Sequence, residues 1–159
     1  MSRSFALLAV AVGLVVGAGH EVQSASAQVV PVVMTGVWAG TANVLVDWIE
    51  EPNITVTLFI NAEGRVTGSV GDAILRNARF ERNRGAFARF FNRKSDWVVV
   101  GQLEGALIRA EGLQRLQLRM PLTWVRDHFE GGFTAWNPTA HGRDDRAVSA
   151  IRLRLDRLW

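Results

Sequence analysis

The sequence predicts an all-β domain: an antiparallel up-and-down β-barrel of about eight strands with one short helical segment. Three observations carry that expectation. Apolar and polar residues alternate with period two along most of residues 28–159, the pattern of half-buried strands. The alternating stretches are separated by short connections rich in Gly, Asn, Asp and Pro. No strand-like stretch alternates with a helix-length one, which excludes βαβ architectures. Such a meander buries its apolar face by closing as a barrel or folding as a sandwich, and closure also removes open edges.

The chain begins with a segment set apart from this pattern. Arg3 precedes a charge-free run of Ala, Val, Leu and Gly from Phe5 to Gly19, and a polar stretch ends in Ala25-Ser26-Ala27. This is the layout of a secretory signal peptide spanning residues 1–27, with cleavage before Gln28. The apolar run is shorter than the ~20 residues that cross a bilayer as a helix. An uncleaved N-terminal anchor is the alternative. Residues 28–159 then form a single domain, secreted or periplasmic.

From Trp38 to Trp48, one face reads Trp38, Gly40, Ala42, Val44, Val46, Trp48 and the other is mostly polar. Pro52-Asn53 marks a turn. Ile54, Val56, Leu58 and Ile60 form the inward face of the next strand, and Asn61 to Gly64 make a hairpin connection. The returning strand points Val66 and Val70 inward, and Gly71-Asp72 turns the chain into a fourth strand of weaker alternation over residues 73–80. Strand pattern resumes at Trp97 to Leu103, and a short strand over residues 106–110 is expected to follow. Leu116, Leu118, Met120, Leu122 and Trp124 share a face, with Pro121 requiring an edge, bulge or bend. Residues 129–136 form a strand weakened by Gly131-Gly132. In the last strand Ala147, Ser149, Ile151, Leu153 and Leu155 are expected to face inward, with Arg152 and Arg154 outward.

Residues 76–94 depart from the rest. They hold Arg76, Arg79, Arg82, Arg84, Arg89, Arg93 and Lys94 against a single acid, Glu81. Phe87, Phe90 and Phe91 have helical spacing, which predicts a helical turn over residues 86–92. The segment either plugs one barrel end with its Phe side chains or meets an anionic surface, and both can hold together. The residues expected to meet such a surface are Arg82, Arg84, Arg89, Arg93 and Lys94.

The composition adds mainly exclusions. Cys is absent, so disulfides and thiolate metal sites are excluded. Net charge is +3 with 17 Arg against one Lys, and the pI of about 10.8 reflects Arg together with the absence of Tyr. Nucleic-acid binding is not expected, since the aromatics of the basic segment cluster at helical spacing rather than on a sheet face. No G-x-S-x-G, H-E-x-x-H or Cys/His pattern occurs. His128 and His141 are expected to be solvated loop residues, His141 near Asp144 and Asp145. No catalytic residue, metal site or cofactor is therefore expected. Trp38, Trp48, Trp97, Trp124 and Trp136 are expected to face the interior, which side chains fill or which holds one small ligand. On the second alternative Trp38, Trp48, Trp97 and Trp124 line the ligand site.

Gly36-Val37-Trp38 resembles the G-x-W that opens the barrel of lipocalins and avidins, the calycin superfamily, and residues 57–68 resemble the avidin-type second hairpin. The resemblance implies that Trp38 closes the barrel floor under a basic side chain of the last strand, for which Arg152 and Arg154 are the candidates. Two departures limit it. The Tyr-containing polar ring of avidin-like biotin sites has no counterpart, and the disulfide usual in vertebrate lipocalins and in calycin-type periplasmic protease inhibitors is absent. Fold alone does not specify function. The expected role is a non-catalytic binding or interaction module for a small apolar ligand or an anionic surface, with peripheral membrane contact. Inhibition of a secreted enzyme is one alternative. A small outer-membrane barrel is the other, suggested by alternation running to Trp159.

Overall fold

The computed structural model describes residues 29–45, 53–84, 95–107, 114–138 and 147–159. Eight strands form a closed barrel in sequence order, each antiparallel to the next: β1 (Gly36–Val44), β2 (Asn53–Ile60), β3 (Arg65–Val70), β4 (Ala73–Arg82), β5 (Trp97–Gly105), β6 (Gln114–Val125), β7 (His128–Trp136) and β8 (Val148–Arg157). β8 pairs back onto β1, so the described sheet has no open edge. The helical turn expected over residues 86–92 lies outside the described residues. So do the leader, Trp48, His141 and most of the strand expected over residues 106–110. A 3-10 turn, Val32–Met34, precedes β1.

Strict alternation becomes strict burial where nothing interrupts the pleat. In β2, Ile54, Val56, Leu58 and Ile60 are buried while Asn53, Thr55 and Phe59 face out. The β2–β3 hairpin turns where expected: Gly64 has φ +75°, and the Arg65 amide donates to Asn61 Oδ1 at 2.8 Å. The inward side chains meet as one hydrophobic cluster, from Val30 and Met34 at one end to Ala135 and Val148 towards the other. Each large side chain buried there contributes about 1.5–3 kcal/mol.

The expected alternation fails at two bulges. In β4 the pairing with β5 shifts between Arg76 and Arg79, and Asn77 has φ +50°. The inward set therefore steps from Leu75 to Ala78 and then to Phe80. In β8 the inward set is Val148 and Ala150, then Leu153 and Leu155, and Ile151 is exposed. Ala147, Ser149 and Ile151 thus do not face the core as the sequence suggested. The cause is an inserted residue: Arg152 has φ +53°, and the β1–β8 and β7–β8 registers shift beside it. Trp136 is also corrected. Phe129, Phe133 and Ala135 set the inward phase of β7, and Trp136 pairs with the outward Gln117.

Pro121 sits inside β6, opposite Val98 of β5. On the β7 side, pairing is interrupted between Arg119↔Thr134 and Leu122↔Gly131, beside the shift at Gly132. A residue without an N–H is accommodated where the ladder is already broken.

Candidate functional site

β1, β3, β5 and β7 begin at one end of the barrel, and β2, β4, β6 and β8 finish there. That end gathers most of the described aromatic residues. Trp38, the third residue of β1, is fully buried, and its indole N–H donates to the Met34 carbonyl at 3.1 Å. The N-terminal segment is pinned below it: Val30 is buried, and its amide donates to Ala62 of the β2–β3 turn. Trp38 meets Trp124 edge-on at 5.5 Å between ring centroids, and Phe129 at 4.8 Å. Phe129 contacts Phe80, which stacks on Trp97 at 4.7 Å with planes 5° apart. The cluster thus runs from Trp97 through Phe80 and Phe129 to Trp38 and Trp124. Edge-to-face and offset pairs of this kind each add about 0.5–1.5 kcal/mol beyond burial.

Two guanidinium groups lie over the cluster. Arg82 stands 4.9 Å from the Trp97 ring centroid, and Arg157 stands 5.9 Å from that of Trp38. A basic side chain of the last strand does cover Trp38, but it is Arg157. Arg152 is taken up by the bulge, and Arg154 turns to the outer wall, where Nε and Nη2 grip the Asp156 carboxylate at 2.9–3.1 Å.

Beside Trp38 is a cleft of about 490 Å³, rimmed by Val33, Trp124, Arg126, Asp127, Asp156 and Arg157. Trp38 lies beneath its floor and Trp124 is half-buried on its flank. Arg126 and Asp127 form the two-residue turn joining β6 to β7. Arg126 has φ +58°, a left-handed conformation in which a side chain costs about 1–2 kcal/mol and glycine or Asn is the relaxed choice.

His128 is not the solvated loop residue that its polar neighbours suggested. It is the first residue of β7 and only 7% exposed, with Nδ1 at 3.1 Å from Asp127 and Nε2 at 3.0 Å from Glu130. The turn is shorter than expected, so pairing with Val125 draws His128 into the sheet. A protonated imidazole donates to both carboxylates, whereas the neutral ring can donate to only one. Hydrogen bonding to Glu130, then to Asp127, therefore raises the His128 pKa above its ordinary value, while the bond from His128 lowers that of Asp127. A raised imidazole pKa adds stability that is complete below about pH 6.5 and is lost as pH rises through the folded-state value. Asp127 works oppositely, its contribution being lost as the medium becomes acidic enough to protonate it. Urea melts across the pH range should show stability falling on the alkaline side of neutrality, by a small amount because both carboxylates are solvated. His128→Gln should remove that fall, and an unchanged profile in the variant would exclude His128 as its source.

Of the Trp residues singled out by sequence, Trp38, Trp97 and Trp124 converge at this end; Trp48 lies outside the described residues. Arg82 and Arg84 are exposed at the same end. Arg89, Arg93 and Lys94 belong to the connection between β4 and β5 and lie outside the described residues. Sequence reasoning did not identify Phe129, Arg126 or the His128 clamp. Arg126 and Asp127 gave a signal only as an ordinary polar turn. Comparisons with protein-family models, with curated proteins and with solved structures found no match.

Proposed function

We propose that this is an exported, calycin-like, non-catalytic binding module that docks its tryptophan-bearing end onto an anionic membrane surface. One observation carries the reading: apolar side chains stand exposed together at that end. Val29 is 82% exposed, Val32 80% and Trp159 86%, with Val33, Leu158 and Phe59 also exposed. Val29, Val32 and Val33 belong to the segment leading into β1, and the other three are joined to the start of that strand. The Leu158 amide donates to Val37, Val37 pairs with Phe59, and Trp159 approaches Gly36. Grouped apolar exposure of this kind marks an interaction surface.

Charge at the same end favours an anionic partner. Arg65, Arg82, Arg84, Arg126 and Arg157 stand around it, and Arg65 lies directly opposite Arg79 across the β3–β4 pair. Glu63, Glu81 and Asp96 share that end, while Asp127 and Asp156 are engaged, by His128 and Arg154. A Trp and aliphatic patch rimmed by Arg suits the headgroup boundary. A barrel spanning the membrane has less support. The outer wall carries Arg76, Arg119, Glu130 and Arg154 along its strands while the apolar side chains fill the inside, the reverse of a lipid-facing barrel. The calycin-like assignment is supported by the eight-strand closed meander and by Arg157 over Trp38 at the opening of β1. No catalytic role is assigned; both nitrogens of His128 are held by carboxylates.

Co-sedimentation of the protein with vesicles tests the reading. Vesicles of phosphatidylglycerol and phosphatidylcholine should retain the protein at low salt and progressively less as salt shortens the screening length to about 3 Å at 1 M. Pure phosphatidylcholine should retain far less. Equal retention on both compositions, or none on either, contradicts the proposal.

A further inference from the structure

We infer that the cleft between the β6–β7 turn and the end of β8 binds a small amphipathic anion, its acidic head held by Arg126 and Arg157 and its flat apolar body lying on Trp124 and Val33. The inference does not rest on membrane docking, and it concerns a soluble ligand.

The electrostatics give the sign of the ligand. Four charged residues rim the cleft, two of each sign. The two acids are committed: Asp127 to His128 at 3.1 Å, and Asp156 to the Arg154 guanidinium at 2.9 Å. The two cations are held by no Asp or Glu side chain: among the described residues none lies within salt-bridge distance of Arg126 or Arg157, and Arg157 Nε donates to a main-chain oxygen of Trp159 at 3.3 Å. The side-chain donors left open to the cleft are therefore guanidinium N–H groups, which favour an anionic acceptor. Two guanidinium forks match a planar carboxylate better than a compact ion, because each can donate a pair of parallel hydrogen bonds.

The walls give the rest of the class. Trp124 offers a half-buried indole on one flank, and Val33 is an exposed aliphatic side chain on the 3-10 turn. The volume of about 490 Å³ lies towards the lower part of the range of small-molecule sites, roughly 300–1,000 Å³. It suits a body of one or two fused rings. An aryl carboxylate has this shape, with a flat apolar part for the indole and one delocalised charge for the forks.

Arg126 supplies an independent argument. It holds a left-handed backbone at the first position of a two-residue turn, where glycine or Asn would be relaxed. A long cationic side chain is kept there at a conformational cost, and nothing in the described fold uses its charge. Strained positions of this kind concentrate at ligand sites.

The test uses 2-naphthoate as the probe and the uncharged 2-naphthamide as its control, by calorimetry on the mature protein in lipid-free buffer at low salt. Naphthoate should bind saturably, and naphthamide at least about tenfold more weakly, as expected when a charge-assisted bond is lost. Arg126→Asn should weaken naphthoate by a similar factor while leaving the melting temperature equal or higher, because Asn accepts the left-handed turn. Arg157→Gln should weaken it too. Trp124→Leu should weaken both compounds. Non-saturable naphthoate binding, equal affinity for the amide, or an unchanged affinity in a folded Arg126→Asn protein would each overturn the inference. With no lipid present, these outcomes are independent of vesicle docking.

Discussion

Replacing Trp38 by Ala should destabilise the barrel by about 3–5 kcal/mol, the scale of a buried large-to-small change. Trp38 is fully buried, touches Trp124 and Phe129, lies under Arg157, and spends its N–H on Met34. Its removal therefore opens a cavity and also frees the N-terminal segment that packs below it. Urea denaturation measures the loss. Trp38→Phe should recover part of it, because the ring contacts survive while the hydrogen bond does not. A loss under about 1 kcal/mol for Trp38→Ala, typical of surface changes, would mean that this end of the barrel is not held by the aromatic cluster.

Gly40→Ala should be comparably severe for a different reason. Gly40 sits in β1 at the seam where β8 closes the barrel, paired with Leu155. A Cβ there would lie 1.7 Å from the Arg154 carbonyl oxygen and 2.8 Å from its carbon. The obstacle is backbone, so no side-chain rotation relieves it, and the seam must part. Overpacking of a core costs typically 1–3 kcal/mol and more when backbone must move; we expect Gly40→Ala at or beyond the top of that range. Thermal melts give the measurement, and a variant melting within a few degrees of the parent would show that the seam is looser than described.

How much of this was legible in the sequence depends on where the pleat is regular. β2 could be read residue by residue, because Ile54, Val56, Leu58 and Ile60 alternate without interruption. β8 could not. Its run of residues reads as smoothly alternating through Ile151, Leu153 and Leu155, yet Arg152 adopts a left-handed conformation and moves Ile151 outside. Nothing in a single sequence marks an Arg as a bulge residue. The same blindness misassigned the cation over Trp38, since counting outward positions in β8 favours Arg152 and Arg154 over Arg157. The floor tryptophan was legible from Gly36-Val37-Trp38. The cleft beside it was not, because its residues come from three separate stretches, Val33 of the 3-10 turn, Trp124 and Arg126 around the end of β6, and Arg157 of β8, which meet only through barrel closure. His128 shows the limit of reading polarity as exposure: flanked by acids, it is nevertheless covered by them.

On the proposed docking, the barrel end bearing Trp159 and the valines of the 3-10 turn meets the headgroup boundary of an anionic bilayer. Depth-dependent quenching of tryptophan fluorescence by brominated lipids in phosphatidylglycerol-containing vesicles tests it most directly. Trp38 and Trp97 are buried in the aromatic cluster, whereas Trp159 is largely exposed at the docking end. Quenching should be strongest for bromines near the headgroup, and Trp159→Phe should remove most of it while the protein stays folded. Fluorescence untouched by brominated lipids, or quenching that survives unchanged in Trp159→Phe, would contradict it.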